Sequence, residues 1–260
     1  MASNPLTIQK RRSLTGNGVP LYLVHDGSGT VANYCKLGSL DCDVFGIQDP
    51  HFMTSEPWVG GMLEMAKHYV ALIEKTTPRG KIVLGGWSFG GLVAVQLAHE
   101  LRSHSTLEVQ GIILMEAIYP SIPEGNQDVS AWPGLSAIRS AAVREKVTKS
   151  ITQSSHIMDT WSPPAWVSKD LGVTLSAEAR TSQPTVVLLR GMKDDVPDNT
   201  YAVRFNRLRK QPLLGWEEYK SGFITKVFEI EGSHLTLFET ENASITCPHL
   251  RTEKDTLNDG

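Results

Sequence analysis

Residues 81–92 read Lys81-Ile82-Val83-Leu84-Gly85-Gly86-Trp87-Ser88-Phe89-Gly90-Gly91-Leu92. A short β-rich run, Ile82-Val83-Leu84, leads into a glycine-flanked serine. An amphipathic stretch carrying Leu92, Val93, Val95, Leu97 and Ala98 follows it. A G-x-S-x-G sequence between a strand and a helix is a nucleophile elbow. The chemistry explains the residue types. A serine hydroxyl is a weak nucleophile until a base takes its proton. A sharp turn lifts Ser88 off the strand end, and close strand–helix packing leaves room only for glycine beside it. The pentapeptide alone is common; its strand–turn–helix setting is what gives it weight.

Outward from the elbow, short apolar runs recur at residues 21–24, 43–47, 111–115 and 185–189, with a later one at 226–230. With 82–85 they have the length and composition of buried parallel strands. Helical periodicity separates several of them. Over residues 60–75, Met62, Met65, Ala66, Tyr69, Leu72 and Ile73 share one face. Alternating strands and helices predict an α/β-hydrolase fold: an open, mostly parallel sheet flanked by helices. Ligands in such sheets bind at the carboxyl ends of the strands, where Ser88 falls.

Residues 120–183 break the alternation. Pro120, Pro123, Gly125 and Pro133 open the segment. A helical stretch is predicted from about Leu135 to Met158, and Trp161, Pro163, Pro164 and Trp166 close it. We read this as a helical lid inserted after the strand that follows the elbow helix. Trp132, Met158, Trp161 and Trp166 are its candidate pocket residues. The whole chain is read as one domain, with flexible ends at 1–17 and 248–260.

Composition bounds the function. Two hundred and sixty residues with 40% hydrophobic content support one large core. A formal net charge of −3 argues against nucleic acid as a partner. Cys35, Cys42 and Cys247 form no C-x-x-C pair and no disulfide framework. The first residues lack the apolar core of a signal peptide, and no apolar run reaches membrane-spanning length. A cytoplasmic setting is expected, with no membrane partner, and neither metal nor cofactor.

The base and the acid should follow the nucleophile in the order Ser, acid, His. His156, His234 and His249 lie well after Ser88. His234, in Gly232-Ser233-His234 just past the last strand, is the candidate general base. His156 falls in the lid and His249 in the tail. The acid holds the imidazole tautomer and stabilises the imidazolium. Two strand ends can supply it. Glu116 closes the run Ile112-Ile113-Leu114-Met115, where a carboxylate needs a partner. Asp194, with Asp195 beside it, follows the next strand. Both remain open on the sequence. The oxyanion donors are assigned to the backbone N–H of Phe89 and that of Gly27, in the glycine loop after the first strand.

These stretches resemble the thioesterase domains that end fungal polyketide synthases and nonribosomal-peptide-like synthetases. The matching segments are 23–29, 44–50, 85–91, 214–219 and 232–239, which span most of the chain. Gly-Trp-Ser-Phe-Gly-Gly is a thioesterase form of the elbow. The resemblance implies an acyl-enzyme on Ser88, loaded from the phosphopantetheine thioester of an acyl carrier protein. Release is then by water or by an internal nucleophile, giving hydrolysis or ring closure, in secondary metabolism. The family's acid is usually an aspartate at the position of Glu116. The departure leaves two options, Glu116 acting with a longer arm or an acid moved to Asp194. A general serine esterase or lipase on small oxygen esters is the alternative activity. Both a free-standing enzyme and an excised domain are compatible with the chain.

Overall fold

In the computed structural model, residues 3–12, 18–120, 133–166, 183–195 and 206–239 are described. Among them run seven strands and three α-helices. The strands are β1 (Leu6–Gln9), β2 (Leu21–Val24), β3 (Val44–Ile47), β4 (Gly80–Trp87), β5 (Leu107–Met115), β6 (Thr185–Gly191) and β7 (Lys226–Ile230). The helices are α1 (Gly61–Thr76), α2 (Phe89–Leu101) and α3 (Ala141–Thr160). The sheet order is β1-β3-β2-β4-β5-β6-β7. β1 pairs antiparallel with β3, and every other neighbouring pair is parallel. The predicted parallel sheet is therefore present, an α/β-hydrolase fold. It has one strand more than the apolar runs indicate.

That extra strand corrects one expectation. Residues 6–9 are not part of a flexible end: Leu6 pairs with Gly46 and Thr7 with Phe45. The expected C-terminal flexible end, 248–260, lies outside the described residues. Much of the 120–183 insertion does as well. What is described of it is a short 3-10 turn at Pro133–Leu135, helix α3 and the stretch up to Trp166. α3 starts later than Leu135. Ser140 caps it, its hydroxyl accepting from the Val143 N–H at 3.4 Å. Such a cap satisfies one of the orphan donors of the first turn.

Strand side chains alternate between two packed faces. Tyr22, Val24, Ile82, Leu84, Ile112 and Leu114 point to the face that carries α1 and α2. Leu21, Leu23, Val83, Trp87, Ile113 and Met115 point to the other, where Tyr34, Leu40 and Phe238 cover them. Both faces are buried, which is why the central strands read as unbroken apolar runs. α1 buries Met62, Met65, Ala66, Tyr69 and Ile73 at helical spacing and leaves Leu63 and Glu64 outside. Helix α2 is buried on nearly every side.

Candidate active site

The elbow is built by backbone strain and by absent side chains. Ser88 sits at φ +56°, ψ −124° between β4 and α2. A non-glycine residue there stores on the order of 1–3 kcal/mol, which the surroundings must offset. The Ser88 N–H donates to Met115 O at 2.9 Å, and Ser88 O accepts from the Gly91 N–H at 3.0 Å. A Cβ on Gly86 would lie 2.3 Å from the Gly90 carbonyl carbon, and one on Gly90 would lie 2.4 Å from Val24 O. Strand, elbow and first-strand loop are thus in backbone contact. Tyr34 adds a brace that the sequence does not announce. Its buried hydroxyl accepts from the Trp87 N–H at 2.8 Å and donates to Val24 O at 2.7 Å.

The next strand ends in the same way. Glu116, directly after β5, has φ +47°, and its N–H donates to Leu189 O at 2.8 Å. Its side chain is fully buried. Oε1 accepts from the Gly191 N–H at 2.6 Å and from Arg209 Nη1 at 3.1 Å. Oε2 accepts from Arg209 Nη2 at 3.0 Å and lies 3.5 Å from His234 Nδ1. Burial pushes this carboxyl upward; the hydrogen bond with His234 and the Arg209 charge outweigh it and hold the group below its ordinary range.

His234 reaches the elbow from the loop after β7. Its ring stacks on Trp87, the residue before the serine, with centroids 5.0 Å apart and planes 30° apart. Only 1% of the side chain is exposed. The loop is held by Leu235 N–H donating to Asp195 Oδ1 at 3.1 Å and by Ser233 N–H donating to Thr236 Oγ1 at 2.8 Å. Of the two acids open on the sequence, Glu116 faces the histidine. Asp194 is 68% exposed and sits 3.5 Å from Arg209 Nε instead.

Ser88 lines a small cavity that is open to solvent. Asp26, Gly27, Trp87 and Phe89 form its base, and Ile151, Ser154, Ser155 and Met158 of α3 form its roof. Gly27 and Phe89, the assigned oxyanion donors, therefore flank the serine in one cavity. Ser154 Oγ donates to Gly27 O at 3.3 Å, tying the lid helix to that loop. His25 props the loop from beneath. Its Nδ1 is 2.7 Å from Asp26 O and its Nε2 2.7 Å from the Tyr69 hydroxyl. The Asp26 carboxylate accepts from the Ser28 N–H at 2.7 Å, and burial pushes it up against that bond.

The lid residues divide. Met158 lines the cavity. Trp161 and Trp166 lie elsewhere, a correction to the sequence expectation: Trp161 donates to Gln96 Oε1 at 2.9 Å, and Trp166 packs edge-on to His99 at 5.3 Å. Both anchor the chain to α2, whose buried polar face offers the partners. Trp132 lies outside the described residues. Tyr34, Ser154 and Arg209 are the site residues that sequence reasoning missed. Among the described residues, no group of His, Cys, Asp or Glu is arranged to hold a metal ion, and no helix is long and apolar enough to cross a membrane.

Comparison with known proteins agrees with this geometry. The thioesterase domain model matches residues 19–253. Thioesterase frbE of Dothideomycetidae sp. (strain 11243) is 32% identical over 248 residues, covering 92% of this chain and 90% of that protein. Thioesterase AMT4 of Alternaria alternata is 31% identical, covering 95% and 90%. Among solved structures, the NocB thioesterase domain in covalent complex with a fluorophosphonate nocardicin G analog superposes with a TM-score of 0.69. It is 25% identical, with 91% of this chain and 94% of that chain covered. A sheet of this order, an elbow of this form and a family match over most of the sequence have one meaning: the chain belongs to the thioesterase domain family.

Proposed function

We propose that this thioesterase is a serine enzyme of secondary-metabolite biosynthesis that takes an acyl chain from a carrier protein's phosphopantetheine thioester onto Ser88. His234 accepts the Ser88 hydroxyl proton as the oxygen attacks the thioester carbonyl. The N–H groups of Phe89 and Gly27 receive the developing oxyanion. Collapse expels the pantetheine thiolate, which leaves with the proton held by His234. Water, or a nucleophile within the acyl chain, then attacks the acyl carbonyl as His234 takes its proton, and His234 returns that proton to Ser88 Oγ as the product leaves. Glu116 keeps the imidazole oriented and stabilises its cationic form.

The observation that carries this reading is the convergence of Ser88, the Trp87-stacked His234 and the buried Glu116 at adjoining strand ends. The NocB thioesterase domain, 25% identical, forms a covalent complex with a fluorophosphonate nocardicin G analog, which supports a covalent route. Incubation with an acyl-N-acetylcysteamine thioester should give a Ser88 peptide heavier by the acyl group. Thioester turnover should exceed that of the matching p-nitrophenyl ester relative to their uncatalysed rates. Rapid ester turnover with no thioester acylation would instead assign a general esterase.

A further inference from the structure

Arg209 is a charged side chain, 5% exposed, at a place where the catalytic reading above has no use for a cation. Both terminal nitrogens of its guanidinium are hydrogen-bonded. Nη1 donates to Glu116 Oε1 at 3.1 Å and to Gly191 O at 2.6 Å. Nη2 donates to Glu116 Oε2 at 3.0 Å and lies 3.8 Å from Asp195 Oδ2. Nε lies 3.5 Å from Asp194 Oδ1. The pairing with Glu116 is a bidentate fork, the arrangement that fixes a carboxylate in direction as well as in charge.

This fork answers a problem that a glutamate creates. Glu116 has one more rotatable bond than an aspartate, so its carboxylate has more places to go. It is also fully buried, and a buried carboxylate without a counter-ion takes up a proton. A protonated Glu116 neither accepts well from His234 nor stabilises an imidazolium. Arg209 meets both needs. It also ties the end of β5 to the end of β6 and, through Asp195 and the Leu235 N–H, to the loop that carries His234. We infer that Arg209 is the positioning residue of this site: its fork keeps Glu116 ionised and aimed at His234. The inference rests on the proposed roles of Ser88, His234 and Glu116.

Among the described residues, the charges that face this cluster can be named. Glu116 comes from β5, Asp194 and Asp195 from the loop after β6, and Arg209 from the segment before β7. Arg190, which donates to the Arg209 carbonyl and pairs with Glu229, lies behind it. Asp26 lies across the cavity. Loss of the guanidinium therefore leaves three nearby carboxylates less compensated. Glu116 becomes easier to protonate, which moves the acidic limb of the kcat/KM profile to higher pH.

The test compares wild type, Arg209→Met, Arg209→Lys, Glu116→Gln and the double variant on hexanoyl-N-acetylcysteamine. Rates are normalised to the sites labelled by a fluorophosphonate probe. Arg209→Met should lower kcat on the order of 100-fold with KM little changed. It should also move the acidic limb upward by about one pH unit or more. Arg209→Lys should restore the limb but not the full rate, because a lysine cannot form the fork. In the Glu116→Gln background, Arg209→Met should cost little more, since the arginine acts through the carboxylate. An unmoved limb in Arg209→Met, or an equal loss in both backgrounds, would overturn the inference. Should Arg209→Met fail to fold, Arg209→Lys and the Glu116→Gln pair decide it in the same way. Absence of probe labelling at Ser88 would overturn the functional reading instead, a separate result.

Discussion

At the scale of single residues, the proposed chemistry rests on three side chains and the groups that brace them. Ser88→Ala should lower kcat on the order of 10⁶-fold with the fold intact, since a nucleophile of this kind acts as one unit with its base. Active-site labelling and circular dichroism check the two halves of that statement. Glu116→Gln should cost up to about 10⁴-fold by loss of the correct tautomer, whereas Asp194→Asn should leave turnover within a few-fold. Acid stability follows the same carboxylate. Its folded-state affinity for protons is held below the ordinary value. Its contribution is therefore fully present above the unfolded glutamate range, near about pH 4.3, and is lost as pH falls through the lower folded value. Melting temperature should drop more steeply below that range in wild type than in Glu116→Gln. Ser88 and His234 stood out in the sequence as candidates because a strained turn and a post-strand glycine loop leave local marks. Glu116 was legible only as one of two strand ends. What sets it apart from Asp194 is burial 3.5 Å from the His234 ring, where Asp194 is 68% exposed, and no local pattern reveals which strand end the histidine loop meets. Tyr34 was invisible for a similar reason: its hydroxyl matters through backbone groups of two separate strands.

At the scale of elements, helix α3 lines the cavity at Ser88, and we propose that it limits what reaches the serine. α3 presents Ile151, Ser154, Ser155 and Met158 to the cavity, while Val147 and Ile151 pack with Leu135 in a small cluster of their own. Replacing Met158 by Trp should narrow the space above Ser88. Turnover of a long acyl thioester should fall by about tenfold or more, and acetyl thioester turnover should change far less. Equal losses on both substrates would place Met158 outside the acyl path. The central strands were legible because burial on both faces writes an unbroken apolar run. β1 was not, because a four-residue edge strand of sequence Leu-Thr-Ile-Gln is half-buried and carries no such run. The tryptophans after α3 misled for a physical reason. Large aromatic surfaces serve an anchor as well as a pocket, and periodicity cannot tell which side of α2 they will meet.

Across the whole molecule, the charges of the candidate site lie at the strand ends of a sheet packed on both faces. One layer is built by α1 and α2, and the other by Tyr34, Leu40 and Phe238 against the opposite face of the sheet. The Glu116–Arg209 pair is sealed there, with the two side chains 0% and 5% exposed. Mobile ions cannot enter that space. Screening acts on exposed pairs such as Lys149–Glu145 on the lid, and not on this one. The rate of attack at Ser88 on a small neutral thioester should therefore stay nearly constant as salt is raised until the Debye length shrinks to about 3 Å. Sensitivity to salt, where it occurs, should appear only with a charged macromolecular donor and only in its encounter with the surface. The enzyme's chemistry is in this sense insulated from the ionic strength around it, while its traffic is not.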